Sequence, residues 1–177
     1  PTSVNLFKLH VAAAGLSDRP ALLCESGNFH TDLHIASGVA DLMRMRLDIV
    51  PRHEVEARIG NAVYPAHYTA GWHITSTTGV FGAAAGVGKL LGLTSKQMVW
   101  AFGLAATQAA GIREMFGSMA KSFQPGRAAQ NGFTAALLGK ADFTAGEHAL
   151  EEPRGFAAVT AAQYDLDKIT VGLGTDF

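Results

Sequence analysis

Gly71-Trp72-His73-Ile74-Thr75-Ser76-Thr77-Thr78-Gly79-Val80-Phe81-Gly82 is the stretch on which the reading of the chain turns. A histidine stands just ahead of four hydroxyl residues, and a long run of small residues follows as far as Leu91. Ser and Thr are preferred at helix starts, because their oxygens accept from unpaired backbone N–H groups. Thr75 to Thr78 therefore read as a helix start, residues 79–91 as the helix and Gly92 as its stop. The exposed N–H groups of a helix start carry partial positive charge and suit an anion. His73 would then stand beside a carboxylate cradle, as a residue able to move a proton.

Reading outward, Thr94-Ser95-Lys96-Gln97 has the spacing of a capping box and opens a second helix running to about Gly111. The joint between the two helices is short, so they should pack antiparallel as the central hairpin. Before them, Val55, Ile59 and Ala62 or Val63 form a helical apolar stripe, with Glu54 and Arg58 spaced as an ion pair. That helix should end before Tyr64-Pro65. After them, Pro125 marks a third helix start, with 126–141 as the helix. Short helices are expected near 155–162 and 167–173. Residues 1–50 give weaker signals: an apolar piece at 21–24, a helix candidate at 35–47, and no convincing strand alternation. The expected class is all-α, one helical domain over residues 1–177 built from antiparallel, Ala- and Gly-rich helices.

Composition narrows the function classes. The chain has 177 residues, enough for one domain with a real core. A net charge of −1 leaves no basic footprint for nucleic acid. Charged residues are only 16%, which points to surface that is apolar or buried against a partner. The single cysteine, Cys24, excludes an internal disulfide and fits a reducing, cytoplasmic setting. No signal peptide is evident. No stretch is long and apolar enough to span a membrane; the best, 99–112, has 14 residues and contains Gln108.

Several motifs fail on spacing. Gly86-Val87-Gly88-Lys89 lacks the preceding glycine and following hydroxyl of a phosphate loop, since Ala83 and Leu90 occupy those places. Close helix packing explains the glycines better. Ser76 has no G-x-S-x-G frame. Cys24 has no identifiable base beside it. His30 and His34 would share one helix face as a metal pair can, yet no third ligand is evident, so a general acid or substrate-holding role fits them better than a metal site, with a plain solvated pair as the alternative. Lys121 and Arg127 flank the Pro125 start, where two cations and a helix N-terminus would hold a carboxylate.

Together these blocks resemble the 2-methylcitrate dehydratase (MmgE/PrpD) family. The Gly71–Gly79 block, Gly82-Ala83-Ala84-Ala85, Leu90-Leu91-Gly92-Leu93, Lys121 with Pro125-Gly126-Arg127-Ala128-Ala129-Gln130-Asn131-Gly132, Asp142-Phe143-Thr144 and Pro153-Arg154-Gly155-Phe156 carry the likeness. It runs from about residue 55 to 174. The family includes 2-methylcitrate dehydratase, cis-aconitate decarboxylase and iminodisuccinate epimerase. The resemblance implies proton transfer at a carbon beside a carboxylate of a small polycarboxylate, with no required metal or organic cofactor, in a homodimer. His73 and Lys121 match the family's active-site histidine and lysine. His30 and His34 look like its two histidines after an acidic D-x-D-D-T stretch, although Cys24-Glu25-Ser26-Gly27-Asn28 stands in that place here. The chain is under half the usual family length and is expected to lack the lid domain.

The resulting expectation has His73, Lys121 and His34 as catalytic residues, with His30, Thr77 and Arg127 binding substrate. Dehydration is favoured, and epimerisation and decarboxylation remain open. The rival is a non-catalytic helical module for dimerisation or ligand binding. It would place His73 and Lys121 on unrelated surfaces.

Overall fold

The computed structural model describes residues 21–25, 37, 40–42, 44, 46–50 and 54–172. The chain divides into two compact units, Pro1–His53 with Phe177 and Glu54–Asp176, where the sequence reading expects one domain. In the first unit, β1 (Ala21–Glu25) and β2 (Arg46–Val50) form a parallel pair, with Ala21 opposite Arg46 and Glu25 opposite Val50. This pair is a correction, since no strand was expected and the helix candidate at 35–47 overran into β2. The sequence Leu47-Asp48-Ile49-Val50 is rich in the branched residues that favour strands. His30 and His34 lie outside the described residues.

Among the described residues of the second unit every regular element is helical, as the all-α expectation requires. The elements are α1 (Glu54–Val63), α2 (Ala66–Thr69), α3 (Ile74–Leu91), α4 (Ser95–Ala106), a 3-10 turn (Arg113–Met115), α5 (Met119–Lys140), α6 (Phe156–Thr160) and α7 (Asp167–Thr170). α1 buries Ile59, Ala62 and Val63 and stops before Tyr64-Pro65, as its stripe predicts. Arg58 donates to the Val171 and Gly172 carbonyls and so ties α1 to the end of α7. No described helix is long and apolar enough to cross a membrane.

α3, α4 and α5 form the centre. Gly92 closes α3 with a left-handed φ of 66°. Thr94 opens α4 with both bonds of the capping box in place. Contacts fix the directions. Ser76 meets Gln124, Gly79 faces Ala128, and a Cβ on Gly132 would lie 2.4 Å from the Val80 carbonyl oxygen. α3 and α5 therefore run the same way. Asn131 reaches the Gln108 carbonyl and Gly139 lies on Gln97 and Ala101, so α4 runs against α5. Gly88 against Met98, and Ser76 against Ala110, set α4 against α3 as the expected hairpin. The larger interface of α3 is nevertheless with α5, not with α4.

Three boundaries differ from the sequence reading. α3 begins at Ile74 with His73 as N-cap, because the hydroxyls fold back onto backbone carbonyls instead of capping. α4 ends at Ala106 and not Gly111; there the Gln108 side chain donates to the Leu104 carbonyl, and the backbone N–H groups of Gln108 and Ala109 tighten onto Ala105 and Ala106. α5 begins at Met119, six residues before Pro125, so the proline sits inside the helix. A proline there forfeits one backbone bond to the carbonyl four residues back, within a helix held by the contacts of Gln124, Ala128, Gly132 and Gly139.

Candidate active site

His73 is fixed from three sides. Residues 71–73 lie antiparallel to 111–113: Arg113 N–H donates to Gly71 (2.8 Å), His73 N–H donates to Gly111 (3.0 Å), and Trp72 bridges Ile112. The start of α3 is thereby clamped to the loop after α4. The His73 side chain is only 4% exposed. Its ring meets Phe116 edge-on, with centroids 5.0 Å apart.

The third contact sets the chemistry. His73 Nδ1 lies 2.6 Å from Gln124 Oε1, and Gln124 Nε2 donates to the Ile112 carbonyl at 3.0 Å. The Ile112 carbonyl can only accept, so the amide nitrogen must face it and the amide oxygen must face His73. Nδ1 is therefore the protonated nitrogen. Nε2, which makes no hydrogen bond to any described residue, carries the lone pair in the neutral ring.

Lys121 lies in the first turn of α5 and is exposed. Its Nζ lies 6.0 Å from the centroid of the same Phe116 ring that His73 touches. The two residues that sequence reading paired therefore both approach the Phe116 ring. Arg113 anchors the loop that presents Phe116. Its guanidinium stacks 3.7 Å from the Tyr68 ring centroid, Nη1 donates to the Tyr68 carbonyl, and Nε is buried without a hydrogen-bond partner among the described residues.

Two expected substrate contacts are placed differently. Thr77 is fully buried, and its hydroxyl bonds His67 Nε2 at 2.7 Å and backbone carbonyls of its own turn. Ser76 is likewise committed, to the Ala110 and Gln124 carbonyls. Ser76, Thr77 and Thr78 are thus buried in the core, while Thr75 is exposed. Arg127 is six residues after Lys121 on one continuous helix, so the two sit roughly 120° apart around its axis. Its guanidinium donates to Gln130 at 2.8 Å. The arrangement of two cations about a helix start disappears because α5 starts earlier.

His67 adds a buried titratable group beneath the site. It packs against Trp72 and Phe156, and its Nδ1 has no hydrogen-bond partner among the described residues. Burial pushes its pKa below the ordinary value, opposed in part by the Thr160 carbonyl. Two cavities of the second unit do not have His73 in their lining. One of about 760 Å³ is lined by Arg58, Asn61, Tyr64, Asp165 and Lys168. Another of about 570 Å³ is lined by Trp72, Thr107, Thr144, Arg154, Phe156 and Thr160. Among the described residues no three His, Cys, Asp or Glu side chains gather as a metal cluster.

Residues 35–168 match the model of the MmgE/PrpD N-terminal domain. This chain belongs to the MmgE/PrpD family. Cis-aconitate decarboxylase of Aspergillus terreus is 40% identical over 127 residues, which cover 67% of this chain and 26% of that protein. A cis-aconitate decarboxylase-like protein of Aspergillus oryzae, oryM, is 31% identical over 138 residues, covering 73% of this chain and 29% of its own length. A 42-residue stretch is 50% identical to a kynureninase of Deinococcus radiodurans, over 24% of this chain and 10% of that protein. That stretch is too short to bear on activity. The chain matches a little over a quarter of the decarboxylase relatives' length. Gln124 and Phe116 were missed from the sequence of this MmgE/PrpD domain. Gln124 had a signal: it is the polar member of the inward stripe Gln124, Ala128, Gly132, Ala135 and Gly139. Phe116 had none, because its role follows from the loop that carries it.

Proposed function

We propose that this domain contributes a proton-transfer histidine and a carboxylate-binding lysine to a lyase acting on a small polycarboxylate, without metal or organic cofactor. The observation that carries the chemistry is His73, held in one tautomer beside Lys121 across Phe116. The two decarboxylase relatives favour loss of CO₂ from a substrate of the cis-aconitate kind over loss of water. In that step the bond from carbon to a carboxylate breaks, CO₂ leaves, and the electron pair stays on carbon, spread toward a neighbouring carboxylate. Lys121 would neutralise that carboxylate and lower the cost of the developing charge. A lysine in the first turn of a helix opposes the helix dipole, and a substrate anion would relieve that opposition. His73, as imidazolium, would return a proton from Nε2 to the carbon. His34 and His30 keep their proposed roles as second acid and substrate contact.

The test is the complete protein incubated with cis-aconitate, 2-methylcitrate and iminodisuccinate, following CO₂ release, water loss and epimerisation. CO₂ release from cis-aconitate is expected. Water loss from 2-methylcitrate alone would return the reading to a dehydratase, and a folded complete protein inert toward all three would sink it. A cytoplasmic homodimer is part of the same proposal, resting on the low charged fraction and the family. Many Ala and Gly faces are already spent on packing inside the chain, at Gly88, Gly103, Gly132 and Gly139. A strictly monomeric complete protein in sedimentation would count against the dimer.

A further inference from the structure

We infer that Gln124 is the positioning residue of the site. It holds His73 as the Nδ1–H tautomer and so makes Nε2 the atom that moves the proton. The inference rests on the proposed role of His73 for its catalytic consequence, but its structural half stands on geometry alone.

The chain of constraints has one solution. Ile112 presents a carbonyl, which cannot donate. Gln124 Nε2 sits 3.0 Å from it, which turns Oε1 toward His73. Oε1 cannot donate either, so the 2.6 Å contact requires a proton on Nδ1. Both side chains are buried, His73 4% and Gln124 8% exposed, so water competes poorly for the bond. The backbone of Gln124 is held independently, since Ser76 Oγ lies 3.1 Å from its carbonyl. Ile112 is held in turn by the bridge to Trp72. Every group that orients the imidazole thus belongs to an element that also fixes the start of α3 or of α5. An amide in this place remains uncharged at every pH. It therefore selects the tautomer without adding a charge beside the ring, whereas a carboxylate there would favour the imidazolium.

The direct test is ¹⁵N histidine spectroscopy of the complete protein, with the His73 signal assigned by its loss in His73→Gln. Above the titration range, Nδ1 should be protonated and Nε2 bare. In Gln124→Met, which removes the amide but keeps the length of the side chain, the His73 signal should become a mixture of tautomers. A single unchanged tautomer in Gln124→Met, or an Nε2–H tautomer in the parent, overturns the inference. The kinetic test uses Gln124→Glu, with folding checked by circular dichroism. The alkaline limb of its pH–rate profile, where the proton-donating imidazolium is lost, should move to higher pH by about one unit. In Gln124→Met, kcat should fall about tenfold, through loss of the ring orientation that aims Nε2 and of the acceptor that favours the Nδ1–H ring left after proton donation, with KM little changed. A Gln124→Glu profile superimposable on the parent's overturns the catalytic half. If no polycarboxylate is turned over by the parent, the proposed function fails separately, and the spectra still decide whether Gln124 sets the tautomer.

Discussion

Gly111 meets two demands at once. Its φ is +122°, a conformation side chains avoid, and a Cβ there would lie 2.7 Å from both Cβ and Oγ of Ser76. Its carbonyl also receives the His73 N–H. Gly111→Ala should therefore lower stability by about 1–3 kcal/mol through strain alone, and should shift His73 by pushing Ser76 away. Urea unfolding of the variant measures the first effect, and an unchanged midpoint would contradict it. His67 makes a separate prediction. Burial lowers its folded pKa, so below about 6.5 the unfolded chain takes up a proton that the folded chain still refuses. Its contribution to stability is complete above that pH and is lost as pH falls from there toward the folded pKa. His67→Phe should flatten this part of the stability-against-pH curve. A slope the same as the parent's over that window would show that His67 is not its source.

At the scale of elements, α3 and α5 touch through positions with no room for a side chain. A Cβ on Gly132 would lie 2.4 Å from the Val80 carbonyl oxygen and 2.6 Å from Ala83 Cβ, the first of which is backbone and cannot step aside. Gly126, on the same helix, has nothing within 4 Å. Gly132→Ala should therefore destabilise by about 1–3 kcal/mol through overpacking. Gly126→Ala should be stabilising by about 0.5–1 kcal/mol, because it removes backbone entropy from the unfolded chain at no steric cost. Thermal melting of the two variants should move in opposite directions; two losses of equal size would mean that helix geometry near Pro125 matters more than the contact. The same contrast explains what was legible in the sequence. Gly92 and the Thr94 capping box were readable because their signals are local, a φ and a four-residue spacing. The start of α5 was not, because Pro125 favours a first turn by itself, while contacts of Gln124, Ala128 and Gly132 with α3 and its neighbours carry the helix back through it. At the end of α4, the Gln108 side chain takes the Leu104 carbonyl while its backbone N–H turns to Ala105. The hydroxyl run misled for a related reason: in isolation Thr77 is a cap, but in place it is the partner of His67. Of the site, His73 and Lys121 were visible as motif residues. Their meeting through Phe116 and the Gln124 bond were not, since both depend on where the 111–118 loop lands.

At the scale of the whole molecule, the proposed function gives this chain one side of a reaction centre. It spans a little over a quarter of its decarboxylase relatives' length, so activity is a property to be measured on the complete protein. Two substitutions separate the roles. His73→Gln keeps a polar side chain of similar reach but cannot exchange a proton at neutral pH, so it should lower kcat by about 10²-fold or more and leave KM nearly unchanged. Lys121→Ala removes a cation that would meet the substrate both before and during the reaction. It should weaken binding and transition-state stabilisation together, so kcat/KM should fall further than kcat. Because Lys121 is exposed and its charge would be screened by salt, the loss in kcat/KM should shrink as ionic strength rises. The loss in His73→Gln should not, since a proton transfer between touching groups is not screened. Steady-state kinetics of both variants at low and high salt gives the comparison. If Lys121→Ala affects kcat alone at every salt concentration, Lys121 does not hold a substrate carboxylate, and that contact must come from elsewhere in the complete protein.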